Sequence, residues 1–163
     1  MGQLKYLVVH CSDTRPAFKV NKAVLTKWHM VQRKWDRLGY SDLIHRNGTI
    51  ESLTPYDNDH IVQSHEMTWG AAGVNSVSRH VCLEGGRDDN NKGGVFLFDE
   101  IFTDAQFTTL IGYVKQFLKD QPQAKVAGHN VFSDIKTCPN FNVSGLMLLA
   151  GIPGNRLITQ LPK

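Results

Sequence analysis

The sequence is poor in cysteine, has no extended apolar run and carries little net charge, and each shortage removes a class of protein. Its 163 residues hold three cysteines, Cys11, Cys82 and Cys138. An odd set in a chain without an export signal argues against a disulfide framework and leaves at least one thiol free. Met1-Gly2-Gln3-Leu4-Lys5 passes directly into a short apolar run, without the longer apolar region and small-residue cleavage site of a secretory leader, so a cytoplasmic location is expected. No stretch approaches the roughly 20 apolar residues of a membrane span. The longest candidate, Leu146 to Ile152, is interrupted by Gly151. The formal net charge is only +3 with Lys and Arg dispersed, which lacks the basic stripe of a nucleic-acid binder. There is no P-loop or GxGxxG, and Gly85-Gly86 and Gly93-Gly94 read as loop turns, so no nucleotide is expected. Neither H-x-E nor P-C-x-x-C occurs, against a zinc deaminase. No repeat, low-complexity tract or linker divides the chain, and one domain over residues 1–163 is expected.

What is present alternates between strand and helix signals. Leu4 to His10 is a short Val- and Leu-rich run closed by Ser12-Asp13-Thr14, a buried strand with His10 at its C-terminal end. Asn21 can cap a helix whose apolar side would be Val24, Trp28, Val31 and Trp35, stopping near Gly39. Leu43 to Arg46 and Thr49 to Leu53 flank Asn47-Gly48, a hairpin signal because both residues tolerate positive φ. His80 to Glu84 reads as a strand, and Arg87 to Gly94 as a solvated loop. Thr103 and Gln106 form a capping box before the stripe Phe107, Leu110, Ile111, Val114, Phe117 and Leu118. Lys125 to Gly128 is a strand delivering His129, and Val143 to Ala150 is a final helix closed by Gly151 and Pro153. The expected fold is α/β, a single mixed β-sheet flanked by helices.

His10 and His129 end two strands, and Cys138 follows His129 by nine positions on a loop closed by Pro139. Side chains at the C-terminal edge of neighbouring strands point into one crevice. Two imidazoles and a thiolate leave one tetrahedral position free, the arrangement of a catalytic zinc. Spacing alone leaves a second reading open, two packed histidines and an inert buried thiol.

The wording around these positions favours the first. Val8-Val9-His10-Cys11-Ser12-Asp13-Thr14, Gly39-Tyr40, Arg46-Asn47-Gly48-Thr49-Ile50-Glu51, Gly128-His129 and Lys136-Thr137-Cys138-Pro139-Asn140-Phe141 resemble, in order, the type-2 N-acetylmuramoyl-L-alanine amidases. That family includes small phage lysozymes and peptidoglycan recognition proteins, and the resemblance runs from Tyr6 to Phe141. It implies Zn2+ as the only cofactor, with His10, His129 and Cys138 as ligands at the C-terminal edge of the strands. It implies Tyr40 and Lys136 as catalytic residues, though each would otherwise read as a packed aromatic and a surface cation. Ser64-His65-Glu66 to Gly73-Val74-Asn75-Ser76 is similar to the family segment that approaches the site, so His65 and Asn75 are candidate substrate contacts. Two departures stand out. Ser41-Asp42 replace the His and aromatic that follow the Gly-Tyr pair in many relatives, making Asp42 a candidate acceptor for a ligand histidine. His80 stands where relatives have glycine, which would narrow or rewire the floor of the site. His29, His45 and His60 have no matched role and are taken as structural or solvated. Cys11, adjacent to His10, should point to the opposite face into the core, and Cys82 should be core as well.

The resemblance therefore implies hydrolysis of the amide between N-acetylmuramic acid and L-alanine, with peptidoglycan or a muropeptide as partner and a monomeric enzyme. A phage or prophage endolysin would reach the wall on lysis or by a helper export route, whereas a recycling enzyme would meet wall fragments in the cytosol. The alternatives are a non-catalytic peptidoglycan-recognition module and a partner-regulating protein on the same fold, with the Arg87 to Gly94 loop as a contact surface.

Overall fold

The computed structural model describes residues 2–90, 92 and 101–159. Its centre is a five-stranded sheet in the order β4-β3-β6-β2-β7, built from Tyr6–Cys11 (β2), Asp42–Ile44 (β3), Ile50–Ser52 (β4), Ser78–Leu83 (β6) and Lys125–Gly128 (β7). β3, β6, β2 and β7 run parallel, and β4 joins the edge antiparallel. The expected mixed sheet is thus present. Two short strands, Gly2–Gln3 (β1) and Ile61–Val62 (β5), pair apart from it. Leu7, Val8 and Val9 are fully buried, as a central parallel strand covered on both faces requires.

Alternation along the strands divides the side chains between two layers. Leu7, Val9 and Cys11 of β2, with Val81 and Leu83 of β6, pack against Leu110, Val114 and Phe117 of the helix Asp104–Asp120 (α2) and Met147 of Val143–Leu149 (α3). On the other face Leu43 and Cys82 meet Val20, Leu25, Leu38 and Leu53, with Trp28 and Tyr40 beside them. His10, offset by one from Cys11, faces this second layer, where Tyr40 and His80 meet its ring.

The caps follow the sequence. Thr103 and Gln106 form a full capping box on α2, Asn21 Oδ1 accepts from Val24 N–H, and Gly151 ends α3 at φ +82°. Gln106 also ties helix to sheet, its buried amide donating to Glu84 O at 2.8 Å and Ile44 O at 3.2 Å. The hairpin forms at Asn47-Gly48, with Gly48 at φ +83°; Asn47 instead accepts from Thr49 through its side chain. Gly85 and Gly86 take positive φ after β6. Of the loop expected from Arg87 to Gly94, positions 91, 93 and 94 lie outside the described residues, while Asp89 and Asn90 are exposed.

The helix after Asn21 differs from expectation. It is α-helical only over Lys22–Thr26 (α1) and continues as a π-helix over Lys27–Gln32, with Arg33 N–H reaching Trp28 O. The wider turn shifts the phase of the stripe. Leu25 and His29 become the buried positions, and Val31, expected inside, is 66% exposed. Among the described residues no helix is long and apolar enough to cross a membrane.

Candidate active site

Three separate pieces of chain bring the donors together. β2 carries His10, β7 ends one residue before His129, and Asn130 N–H donates to Cys138 O at 2.8 Å, folding the following loop back onto the strand ends. Asn140, at φ +68°, anchors that loop by donating to Gly86 O at 2.7 Å and accepting from Thr137 Oγ1 at 2.7 Å. One ligand atom each from His10, His129 and Cys138 lie within 4.8 Å of one another. His10 presents Nδ1, 3.9 Å from Cys138 Sγ, while its Nε2 faces His80 Nδ1 at 2.9 Å.

The surroundings favour a thiolate. Cys11 donates its thiol proton towards Cys138 across 4.0 Å, and its backbone N–H approaches the same sulfur at 3.3 Å. The thiol contact, joined by His10 and His129, holds Cys138 well below the ordinary thiol range against the opposing effect of burial. Cys11 is a core residue on the opposite face, as expected, yet as the last residue of β2 it also touches the site. Burial pushes the Tyr40 phenol well up, so it remains an O–H donor at neutral pH. Burial likewise lowers His10, keeping its ring neutral and able to offer a lone pair.

A cleft of about 250 Å³ opens over these atoms, lined by His129, Cys138, Tyr40 and Lys136. Tyr40 sits with its ring centroid 5.0 Å from that of His10, and Lys136 is exposed at the rim. His65 and Asn75 do not line this cleft: His65 is exposed, and Asn75 Oδ1 accepts from Ala71 N–H at 2.8 Å to hold its own turn. Asp42 does not reach a ligand histidine. Alternation turns it to the far face, where it accepts from Tyr113 OH at 2.6 Å and Tyr56 OH at 2.8 Å. The rewiring comes from His80.

A family model described as N-acetylmuramoyl-L-alanine amidase matches residues 1–141. The endolysin of Escherichia phage T7 is 34% identical over 137 residues, 84% of this chain and 81% of that protein. The chain belongs to the N-acetylmuramoyl-L-alanine amidase family. It is a peptidoglycan amidase. Several solved structures share its fold. LysC, an N-acetylmuramoyl-L-alanine amidase from Clostridium intestinale, superposes with a TM-score of 0.69 at 19% identity, covering 93% of this chain and 87% of that one. The ectodomain complex of peptidoglycan recognition proteins LCa and LCx with tracheal cytotoxin bound gives 0.57 at 14% identity, covering 84% and 76%.

The amidase cleft also holds residues that the sequence did not single out for the site. Trp28 and Arg33 from the helical segment and Ile135 from the Cys138 loop line it, Ile135 being 87% exposed. The one available signal was for Ile135, an apolar residue next to Lys136 in an otherwise polar loop. Arg33 carried none, because its approach depends on the π-helical turn.

Of the unmatched histidines, His45 lies between Glu51 and Glu84 at 3.2 Å from each, and His60 is exposed beside Gln121. His29 is only 2% exposed and structural: its Nδ1 accepts the Gly39 N–H at 3.1 Å, next to Tyr40. That bond requires a neutral ring, and burial, helped by Arg33, lowers the His29 pKa to about 4. An unfolded histidine titrates near 6.5, so between those values the unfolded chain binds the extra proton and stability falls as pH falls. Relative to His29→Asn, the wild type is expected to lose roughly 1–2 kcal/mol more stability between pH 7 and pH 5, measured by urea unfolding. Parallel pH profiles for the two proteins would refute this role.

Proposed function

We propose that this amidase is a zinc-dependent phage or prophage endolysin that hydrolyses the amide between the lactyl group of N-acetylmuramic acid and L-alanine. The observation that carries the reading is the convergence of His10 Nδ1, a His129 nitrogen and Cys138 Sγ, with His129 and Cys138 lining the cleft. The donor set fits the metal. Two imidazoles and a low-pKa thiol are the nitrogen and sulfur ligands zinc prefers, and the 3.9 Å between His10 Nδ1 and Cys138 Sγ is near the edge of a zinc tetrahedron, about 3.6 Å. A zinc ion held there would lower the pKa of water in the fourth position and polarise the scissile carbonyl.

The chain's own groups have distinct tasks. Cys11 N–H and the Cys11 thiol keep negative charge on Cys138 without a bulk counterion. Tyr40, protonated at neutral pH, can donate to oxygen that gains charge as the amide carbon becomes tetrahedral. Lys136, on the facing loop, offers an ammonium to the same oxygen or to a substrate carboxylate, and Arg33 adds a second cation to the cleft. His65 and Asn75 would meet only a substrate that extends beyond the cleft. The reading includes a monomer acting on wall exposed when the membrane is opened. Kinship to phage endolysins favours this over wall recycling. A recognition module that does not cut is disfavoured because all three donors are in place.

Removing metal by chelation should abolish release of free stem peptide from purified peptidoglycan, and one equivalent of zinc should restore it. Full cleavage by metal-free protein would overturn zinc dependence. Binding of wall without cleavage by zinc-loaded protein would convert the reading into recognition.

A further inference from the structure

We propose that His80 is a positioning residue for the metal site: its Nδ1 accepts the Nε2 proton of His10 and so leaves His10 Nδ1 as a lone pair facing Cys138. The inference rests on the zinc reading above and concerns a residue that contacts neither substrate nor metal.

The geometry divides the two nitrogens of His10 between separate tasks. Nε2 lies 2.9 Å from His80 Nδ1, and Nδ1 lies 3.9 Å from Cys138 Sγ. A hydrogen bond across the first contact holds one proton between the two rings. If His80 Nδ1 carried it, the proton of a neutral His10 would sit on Nδ1, aimed at Cys138, and that nitrogen could not ligate. With the proton on His10 Nε2, Nδ1 is free and the ring is fixed in orientation as well as tautomer, the service that an outer partner performs for a metal-bound histidine.

The rest of the molecule is arranged around this contact. His80 is 0% exposed, and its backbone is clamped in the sheet, paired with Val8 on one side and donating no freedom on the other, where its carbonyl accepts from Ser41 N–H at 2.8 Å. Its Nε2 is buried without a hydrogen-bond partner among the described residues. A buried imidazole that leaves one nitrogen unpaired is costly, and the contact its other nitrogen makes is with His10. Space is cleared for it too. A Cβ at Gly70 would sit 2.7 Å from His80 Cγ and 2.6 Å from Gly39 O, closer still to His80 Nδ1. The orienting role expected of Asp42 is therefore filled from the neighbouring strand, on the face that His10 occupies.

The test compares zinc affinity, by competition with a chromophoric chelator, in wild type, His80→Leu and His80→Asn. Leu removes the acceptor, whereas the Asn carbonyl oxygen falls near the position of Nδ1. Zinc binding should weaken about 10- to 100-fold in His80→Leu and stay within about threefold in His80→Asn. Nitrogen-15 NMR of the zinc-loaded wild type should show His10 protonated on Nε2 and His80 bare on Nδ1. Wild-type affinity in a folded His80→Leu protein, or a proton on His80 Nδ1, overturns the inference while leaving the zinc reading intact. If Leu prevents folding, the Asn variant and the wild-type spectrum decide it. A wild type that binds no zinc overturns the metal reading and this inference together.

Discussion

Replacing Cys138 with Ser should reduce release of stem peptide by at least about 1,000-fold, the rate equivalent of roughly 4 kcal/mol, because it removes the only anionic donor of the cluster. A serine hydroxyl does not ionise at neutral pH, so it offers neither the charge nor the soft sulfur that holds zinc against water. Bound zinc, measured by elemental analysis after gel filtration, should fall with the activity. The loss should not come from unfolding: Cys138 lies on a loop, and its backbone oxygen still accepts from Asn130 N–H. Cys11→Ala is the informative control. Cys11 touches the same sulfur, but its backbone N–H survives the substitution, so zinc should be retained and at least about a tenth of the rate with it. Equal losses in the two variants would mean that the thiols act as a pair and that Cys138 is no simple ligand.

Gln106→Leu should be strongly destabilising although it lies away from the site, at about 3 kcal/mol, lowering the midpoint of thermal unfolding by about 6–12 °C. Gln106 is fully buried, and its side chain performs three tasks at once. Its amide donates to the carbonyls of Ile44 and Glu84 at the ends of β3 and β6, and its oxygen accepts from Thr103 N–H at 3.1 Å to close the capping box. Leucine matches the volume but leaves buried carbonyl oxygen unpaired, the expensive direction of the exchange. Calorimetry decides it, and a shift below about 3 °C would mean that water or backbone movement replaces these bonds.

Gln106 also illustrates how far local wording reached. The Thr103–Gln106 capping box is a local rule, readable because both partners lie in one turn, and the same holds for the Asn21 cap, the Gly48 turn and the Gly151 stop. The reach of the Gln106 amide to Glu84 was not readable, since it depends on where α2 lies across the sheet. The π-helical turn after Thr26 was missed for a similar reason. Its apolar residues satisfy a regular 3.6-residue stripe on paper, but burial of His29 against Gly39 and Trp35 is a tertiary contact that outweighs the exposed Val31.

The candidate site divides along the same line. His10, His129 and Cys138 were legible because the motifs around them resemble a known family in order and because the two histidines fall at strand ends. Tyr40 and Lys136 do line the cleft, whereas His65 and Asn75 lie outside it. Asp42 and His80 both depart from the family wording; the acceptor role expected of Asp42 is not met, whereas the altered hydrogen bonding expected of His80 is present. Strand alternation sends Asp42 to Tyr56 and Tyr113 on the far face, and the imidazole that meets His10 comes from the adjacent strand.

Local wording predicts the five strands of the main sheet, the caps and the hairpin turn, because these depend on residues close together in the chain, and a resemblance in motif order singles out His10, His129 and Cys138. Tertiary contacts set which nitrogen of His10 faces Cys138, which ring meets the other nitrogen and which side chains wall the cleft. Those outcomes turn on distances of a few ångströms between strands far apart in sequence, set by sheet order and register, and no local pattern encodes them.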